Sequence, residues 1–172
     1  MKAIKRIAIT GPESTGKSDL ARKLAEHYGT TWVREFARDY LEALERPYEE
    51  HDMLFIAKNQ LLSEKKKMPQ ARKFLFCDTE PIVIKIWSEV KYERCHPWIL
   101  EKIKQHPYDL YLLCDVDLPW EEDPLREHPD KRKYLFRLYY NELNNRNLPF
   151  YIVSGSGDQR LKNAIKAIEN TF

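Results

Sequence analysis

The sequence predicts an α/β fold, a five-stranded parallel sheet with helices on both faces, and three observations carry that reading. Short apolar runs recur along the chain, stretches of helical spacing separate them, and a glycine-bounded loop joins the first run to the first helix. The runs at residues 7–10, 74–77, 110–114 and 150–153 are continuous rather than alternating, as strands covered on both faces should be. Residues 31–33 supply a shorter fifth strand.

Between the runs, apolar residues repeat every three or four positions. Leu20, Ala21, Leu24, Ala25 and Tyr28 mark the first helix, which Gly29 closes as a C-cap. Phe36, Tyr40, Leu41 and Leu44 mark a second, and Met53, Ala57 and Leu61 a third. Ile82, Val83, Ile86, Trp87 and Val90 form the next face, followed by Trp98, Ile99 and Ile103. Leu135, Leu138 and Tyr139, then Leu161, Ala164, Ile165 and Ile168, complete the alternation. Right-handed crossovers turn this order into one parallel sheet.

At 172 residues a single domain, 1–172, is expected, long enough for a substantial core. The 29 Lys and Arg nearly balance the 27 Asp and Glu, so charge gives no argument for nucleic acid or a membrane surface. Lys65-Lys66-Lys67, the single basic run, reads as a solvated face where a helix ends. No apolar stretch reaches membrane-spanning length, and the N-terminus runs into the first strand without the pattern of a signal peptide. Cys77, Cys95 and Cys114 lack Cys-x-x-Cys spacing, and the five histidines lack ligand spacing. Neither disulfides nor a structural zinc is expected, and the chain reads as cytoplasmic.

Function enters with residues 11–18. Gly11-Pro12-Glu13-Ser14-Thr15-Gly16-Lys17-Ser18 matches the phosphate-binding loop G-x-x-x-x-G-K-[ST], between a strand and a helix as its geometry demands. Successive backbone N–H groups there wrap a polyphosphate at the positive end of a helix. Lys17 is expected on the terminal phosphates, and the Ser18 hydroxyl on Mg2+. The sheet is therefore that of a P-loop nucleoside-triphosphate-binding protein, with Mg-ATP as its expected ligand.

Ligands in such sheets gather where the strands end. The second strand delivers Glu35, Arg38, Asp39 and Tyr40, and the third delivers Asp78-Thr79-Glu80. Asp78 after four apolar residues fits an acid that holds Mg2+ or its waters; an acidic helix cap is compatible with that role. Glu35 and Asp39, four apart, would share a helical face at the cleft, one taking a proton from an acceptor hydroxyl and the other gripping a neighbour. Pairing with Arg34 and Arg38 on a solvated face is the alternative. Gly155 and Gly157 follow the last strand and are nucleotide-contact candidates. Residues 118–133, with three prolines, many charges and no glycine, suit a lid, and Arg126 is the expected lid arginine facing the transferred phosphoryl group.

No Asn-Lys-x-Asp guanine motif is present, and Asp78-Thr79-Glu80-Pro81 lacks the glycine of Asp-x-x-Gly, which disfavours a GTPase. A chain this short leaves little room for the helical lid domain of a large ring ATPase. A small-metabolite kinase fits best. The blocks 11–18, Glu35-Phe36-Ala37-Arg38-Asp39-Tyr40, Asp78-Thr79-Glu80, and Pro119-Trp120 with Asp123 and Leu125-Arg126 resemble the ribosylnicotinamide kinase domain of NadR-type proteins, filed under the broader AAA-like P-loop ATPases. The resemblance covers nearly the whole chain.

It implies transfer of a phosphoryl group from Mg-ATP to the 5′-hydroxyl of nicotinamide riboside, giving nicotinamide mononucleotide. It places Glu35, Arg38 and Asp39 toward the nucleoside, Asp78 near the metal and the acceptor, and Arg126 in the lid. Trp32, Phe36, Tyr40, Trp87 and Trp120 become candidates for an aromatic wall beside the nicotinamide ring, although each could equally be core. NadR-type proteins also carry a helix-turn-helix segment and an adenylyltransferase domain. Here the chain opens on the kinase strand and has no His-x-Gly-His signature, so neither DNA repression nor dinucleotide synthesis is expected of it. Two other functions stay open: a P-loop kinase for another nucleoside or small alcohol, and a non-catalytic ATP-binding regulatory module.

Overall fold

The computed structural model describes residues 3–172. Five strands form its sheet: β1 (Lys5–Thr10), β2 (Trp32–Val33), β3 (Phe74–Asp78), β4 (Leu110–Cys114) and β5 (Phe150–Val153). Their spatial order is β2-β3-β1-β4-β5, and every ladder is parallel. The chain leaves β1 for the edge strand β2, returns to β3 beside β1, and then crosses to β4 and β5 on the other side. The connections thus reverse direction, and a crevice opens at the carboxyl ends beside β1.

Seven helices cover the sheet: α1 (Lys17–His27), α2 (Phe36–Glu42), α3 (Glu50–Lys67), α4 (Pro81–Tyr92), α5 (Pro97–Gln105), α6 (Arg132–Asn145) and α7 (Gly157–Glu169). Strand alternation sorts the core into two layers. Ile7, Ile9, Phe76 and Leu112 pack with Leu20 and Leu24 of α1 and Ala164 and Ile168 of α7. Ala8, Leu75, Tyr111 and Leu113 face the other way, onto Ile56 of α3, Ile82 and Ile86 of α4 and Leu135 of α6.

Local chemistry sets the helix ends. Gly29 takes a left-handed φ of 58° after α1. Its N–H bonds the Glu26 carbonyl at 3.2 Å and the Thr30 N–H bonds that of Ala25 at 2.9 Å, a Schellman closure. Glu49 and Asp52 form a reciprocal capping box at the start of α3. Pro81 opens α4, with the Glu80 side chain capping the Ile82 N–H at 2.6 Å. The Lys65–Lys67 run ends α3 and is exposed.

One strand departs from expectation. β5 was expected to be covered on both faces, yet Tyr151 and Ile152 are 41% and 45% exposed. The strand closes one edge of the sheet, and its apolar run reflects β-propensity more than burial.

At the opposite end from the crevice, Glu64 of α3 is buried with Tyr108 and Arg6. The Tyr108 hydroxyl and Arg6, the latter at 3.2 Å, donate to its two oxygens. Burial pushes the Glu64 carboxyl up from 4.5 to about 7, against the pull of Tyr108 and Arg6. A carboxyl raised on folding favours the protonated native state. Its contribution is complete below the unfolded value and is lost as pH rises through the folded one. Glu64→Gln is therefore expected to flatten the fall in stability between about pH 4.5 and 7 by on the order of 1–3 kcal/mol. Thermal melts of both proteins across that range check it; parallel curves would refute it.

Candidate active site

The phosphate loop, 11–18, connects β1 to α1. Its shape depends on left-handed backbone at three positions, Gly11 (φ 133°), Ser14 (φ 54°) and Gly16 (φ 75°). A Cβ on Gly11 would lie 3.0 Å from the Cys114 carbonyl oxygen, so β4 itself forbids a larger residue there. The loop lines a cavity of about 330 Å³. Its apolar wall includes Leu41, Val83, Ile86, Trp87 and Tyr139. Glu35, Arg38 and Arg126 also line it.

Lys17 Nζ bends back onto the Pro12 carbonyl at 2.7 Å, within the loop. Ser18 Oγ donates to Asp78 Oδ2 at 2.5 Å. Asp78 Oδ1 is buried and has no partner. A hydroxyl beside a carboxylate with one orphaned oxygen is a hard-oxygen donor pair, and it suits Mg2+, which takes its remaining ligands from phosphate and water. Among the described residues no group of three or more His, Cys, Asp and Glu could hold a metal. A metal held by Ser18 and Asp78 would need further ligands from outside these side chains.

The acid pair expected at the second strand is split. Glu35 precedes α2 with an extended backbone (φ −61°, ψ 109°) and its carboxyl enters the cavity. Asp39 lies inside the helix, turned to solvent, with Arg34 Nη2 3.4 Å away. Because Glu35 is outside the helix, four-residue spacing does not put the two on one face. Asp39 instead lines a separate groove with Trp32 and Phe36. Burial raises the Glu35 carboxyl above the ordinary carboxylate range, reinforced by the neighbouring Asp78 and opposed by Lys17, Arg38 and Arg126. Asp78 is raised too by burial, against its bond from Ser18.

Two further expectations are corrected. Tyr40 is not in the cavity wall: its hydroxyl donates to Asp52 at 2.6 Å and its ring stacks on Phe36. Trp120 is also outside, its ring under the Arg132 guanidinium at 5.6 Å. Of the aromatic candidates, Trp87 lines the cavity, its indole N–H fixed by the Tyr48 hydroxyl at 3.0 Å. Tyr139, read in sequence only as a helix-face residue, joins it.

Residues 115–131 carry no helix or strand and fold over the phosphate loop. Ser14 Oγ accepts the Glu121 N–H at 2.9 Å, and Arg132 donates to the Ser14 carbonyl at 3.0 Å. Glu13 was expected on the nucleotide. Its backbone belongs to the cradle, but its carboxylate turns outward and accepts the N–H groups of Glu127 and His128, each at 3.1 Å. Arg38 meets Asp123 at 2.9 Å, tying α2 to the same segment. Arg126 reaches the Glu121 carbonyl at 2.5 Å and lies 3.4 Å from Ser14 Oγ, beside the cradle. Gly155 and Gly157 do not line the cavity; Gly155 sits in the loop after β5 with φ 95°, and Gly157 opens α7 with φ 51°.

Sequence reasoning missed Gln60. It is buried, accepts the Phe36 N–H at 2.8 Å and donates to the Asp78 carbonyl at 3.3 Å, so it sets the spacing between the backbones that carry Glu35 and Asp78.

Fold and site together define a P-loop α/β protein whose phosphate loop and a set of apolar side chains line one cavity. The chain belongs to the AAA domain family, which it matches over residues 6–160. It is 28% identical over 176 residues to the trifunctional NAD biosynthesis/regulator protein NadR of Salmonella typhimurium, covering 96% of this chain and 42% of that protein. The NadR protein of Escherichia coli is 31% identical over 156 residues, covering 86% and 37%. The chain thus spans less than half the length of these relatives. A crystal structure of NadR in complex with NR superposes with a TM-score of 0.83 at 23% identity, over 98% of this chain and 51% of that one. A deoxyadenosine kinase from M. mycoides gives 0.69 at 13% identity, over 96% and 99%. At these identities the superpositions establish the fold.

Proposed function

We propose that this chain is an ATP-dependent kinase that phosphorylates the 5′-hydroxyl of nicotinamide riboside. The observation that carries the reading is one cavity lined by the phosphate loop, by an apolar wall that includes Trp87, and by Glu35. Similarity to the NadR proteins supports the choice of acceptor. A NadR structure in complex with NAD and AMP-PNP, with a TM-score of 0.78 at 22% identity over 98% of this chain and 49% of that one, supports a nucleotide in the same fold.

In this reading, backbone N–H groups of residues 12–18 orient the triphosphate and Lys17 leaves the Pro12 carbonyl for its terminal phosphates. Ser18 and Asp78 would hold Mg2+, which supplies charge neutralisation on the phosphate oxygens when bound. Glu35 takes the proton of the acceptor hydroxyl as that oxygen bonds to the γ-phosphorus; the bond from phosphorus to the bridging oxygen breaks, and ADP leaves with the electron pair. The lid segment screens the reaction from water, and Arg126 faces the charge on the transferred oxygens. A transition-state contact acts on kcat, so Arg126→Ala is expected to lower kcat by more than about tenfold while the fold survives. Steady-state kinetics and a melting curve check this, and an unchanged kcat returns Arg126 to an ordinary loop role.

The test of function mixes ATP and Mg2+ with each of several nucleosides and measures the 5′-monophosphate by mass. Nicotinamide riboside is expected to give product in preference to adenosine, uridine and thymidine. Product from another nucleoside alone overturns the acceptor, and ATP binding without any product favours the regulatory module.

A further inference from the structure

Arg160, in the first turn of α7, is a charged side chain only 4% exposed. Its Nη1 donates to Asp117 Oδ1 and to the Gly155 carbonyl, both at 2.7 Å. Its Nη2 donates to the Thr15 carbonyl at 2.7 Å and to the Asp115 carbonyl at 3.0 Å. One planar group therefore joins the phosphate loop, the residues following β4 and the loop following β5. The second and third are tied to each other as well, since Ser154 Oγ donates to Asp115 Oδ2 at 2.9 Å and the Gly155 N–H to Asp117 Oδ2.

Burying a guanidinium is expensive even when paired, and an apolar side chain of similar volume would serve the core at least as well. What an apolar residue cannot do is satisfy outward-pointing carbonyls. In a phosphate cradle the N–H groups converge on the anion, so the carbonyls of the same peptide run turn away and need donors of their own. The Thr15 carbonyl meets that need in Arg160, within the stretch that must present its N–H groups to phosphate. The same guanidinium grips the Gly155 carbonyl, at a left-handed turn that follows β5.

We infer that Arg160 is a positioning residue for the nucleotide: by holding the Thr15 carbonyl, and tying it to the segments after β4 and β5, it keeps the N–H groups of the phosphate loop turned toward the phosphates. The inference rests on the nucleotide-binding part of the function proposed above. Of the residues that the Arg160 side chain bonds, only Thr15 of the phosphate loop lines the cavity, so the side chains expected to meet the acceptor are indifferent to this residue.

The test compares wild type with Arg160→Lys, Arg160→Ala and Asp117→Asn. Calorimetric affinity for Mg-AMP-PNP, KM for ATP, KM for the acceptor and melting temperature are measured for each. Arg160→Lys keeps the charge but not the planar fork, and is expected to fold and to weaken nucleotide binding about tenfold or more, with acceptor KM changed less than about twofold. Asp117→Asn should move nucleotide affinity the same way by less. Added guanidinium should restore part of the affinity lost in Arg160→Ala if that protein folds. Lower melting temperatures with wild-type AMP-PNP affinity in the Lys and Asn variants would make Arg160 a strut of the fold and overturn the inference, as would equal losses for both substrates. If wild type binds AMP-PNP but phosphorylates no nucleoside, the kinase reading fails while the calorimetric comparison still decides Arg160.

Discussion

Replacing Lys17 by alanine is expected to remove turnover, lowering kcat/KM for ATP by on the order of a thousandfold, and to weaken AMP-PNP binding at least about tenfold. The side chain lines the cavity and is bonded to its own loop at the Pro12 carbonyl, 2.7 Å away. That bond is local and can be exchanged for phosphate without disturbing the cradle, whose shape resides in the left-handed Gly11, Ser14 and Gly16. Lys17 is also the first residue of α1, where a cation opposes the helix dipole. Its removal is therefore expected to leave the melting temperature unchanged or slightly higher. Loss of activity with the fold intact separates the phosphate role from a structural one. Wild-type affinity and turnover in this variant would refute the assignment of the loop.

Legibility of the sequence followed a physical divide. Where burial on both faces writes an unbroken apolar run, as in β1, β3 and β4, the strand could be read directly, with β4 read to the residue, β1 starting two residues earlier and β3 ending one residue later than the run. The phosphate loop was legible because its backbone geometry admits few residues at Gly11 and Gly16. The reading failed where it assumed regular geometry at an irregular place. Glu35 lies just outside α2, and helical spacing therefore misplaced Asp39 beside it. Gln60 and Arg160 were passed over because polar side chains on helices ordinarily face water. A signal was present for both. Gln60 is in phase with Met53, Ile56 and Ala57, and Arg160 with Ala164, Ala167 and Ile168, so each polar group sits on the buried face of its helix. Glu13 carried no such signal, since its partners are backbone amides more than a hundred residues away.

Glu35→Gln and Asp39→Asn are expected to part company. Glu35 is the acid of the pair that enters the cavity, and burial holds its carboxyl above the ordinary range, where it accepts a proton more readily near neutral pH. As the residue capping α2 it makes no side-chain capping bond, so glutamine in its place removes proton acceptance without uncapping the helix. The glutamine also relieves the burial of charge beside Asp78, and stability should hold or rise. A general base contributes about a hundredfold to ten-thousandfold, and kcat for Glu35→Gln is expected to fall within that range with KM for ATP little changed. Asp39 lies on an exposed surface with its carboxylate 3.4 Å from Arg34, and its replacement should leave both parameters within about twofold, because an exposed pair contributes little. Steady-state kinetics of the two variants with ATP and the acceptor varied in turn decide the matter. A raised acceptor KM with preserved kcat in Glu35→Gln would make Glu35 the residue that grips a ribose hydroxyl. Loss of kcat confined to Asp39→Asn would move the base to α2 and require that helix to turn toward the cavity when substrate binds.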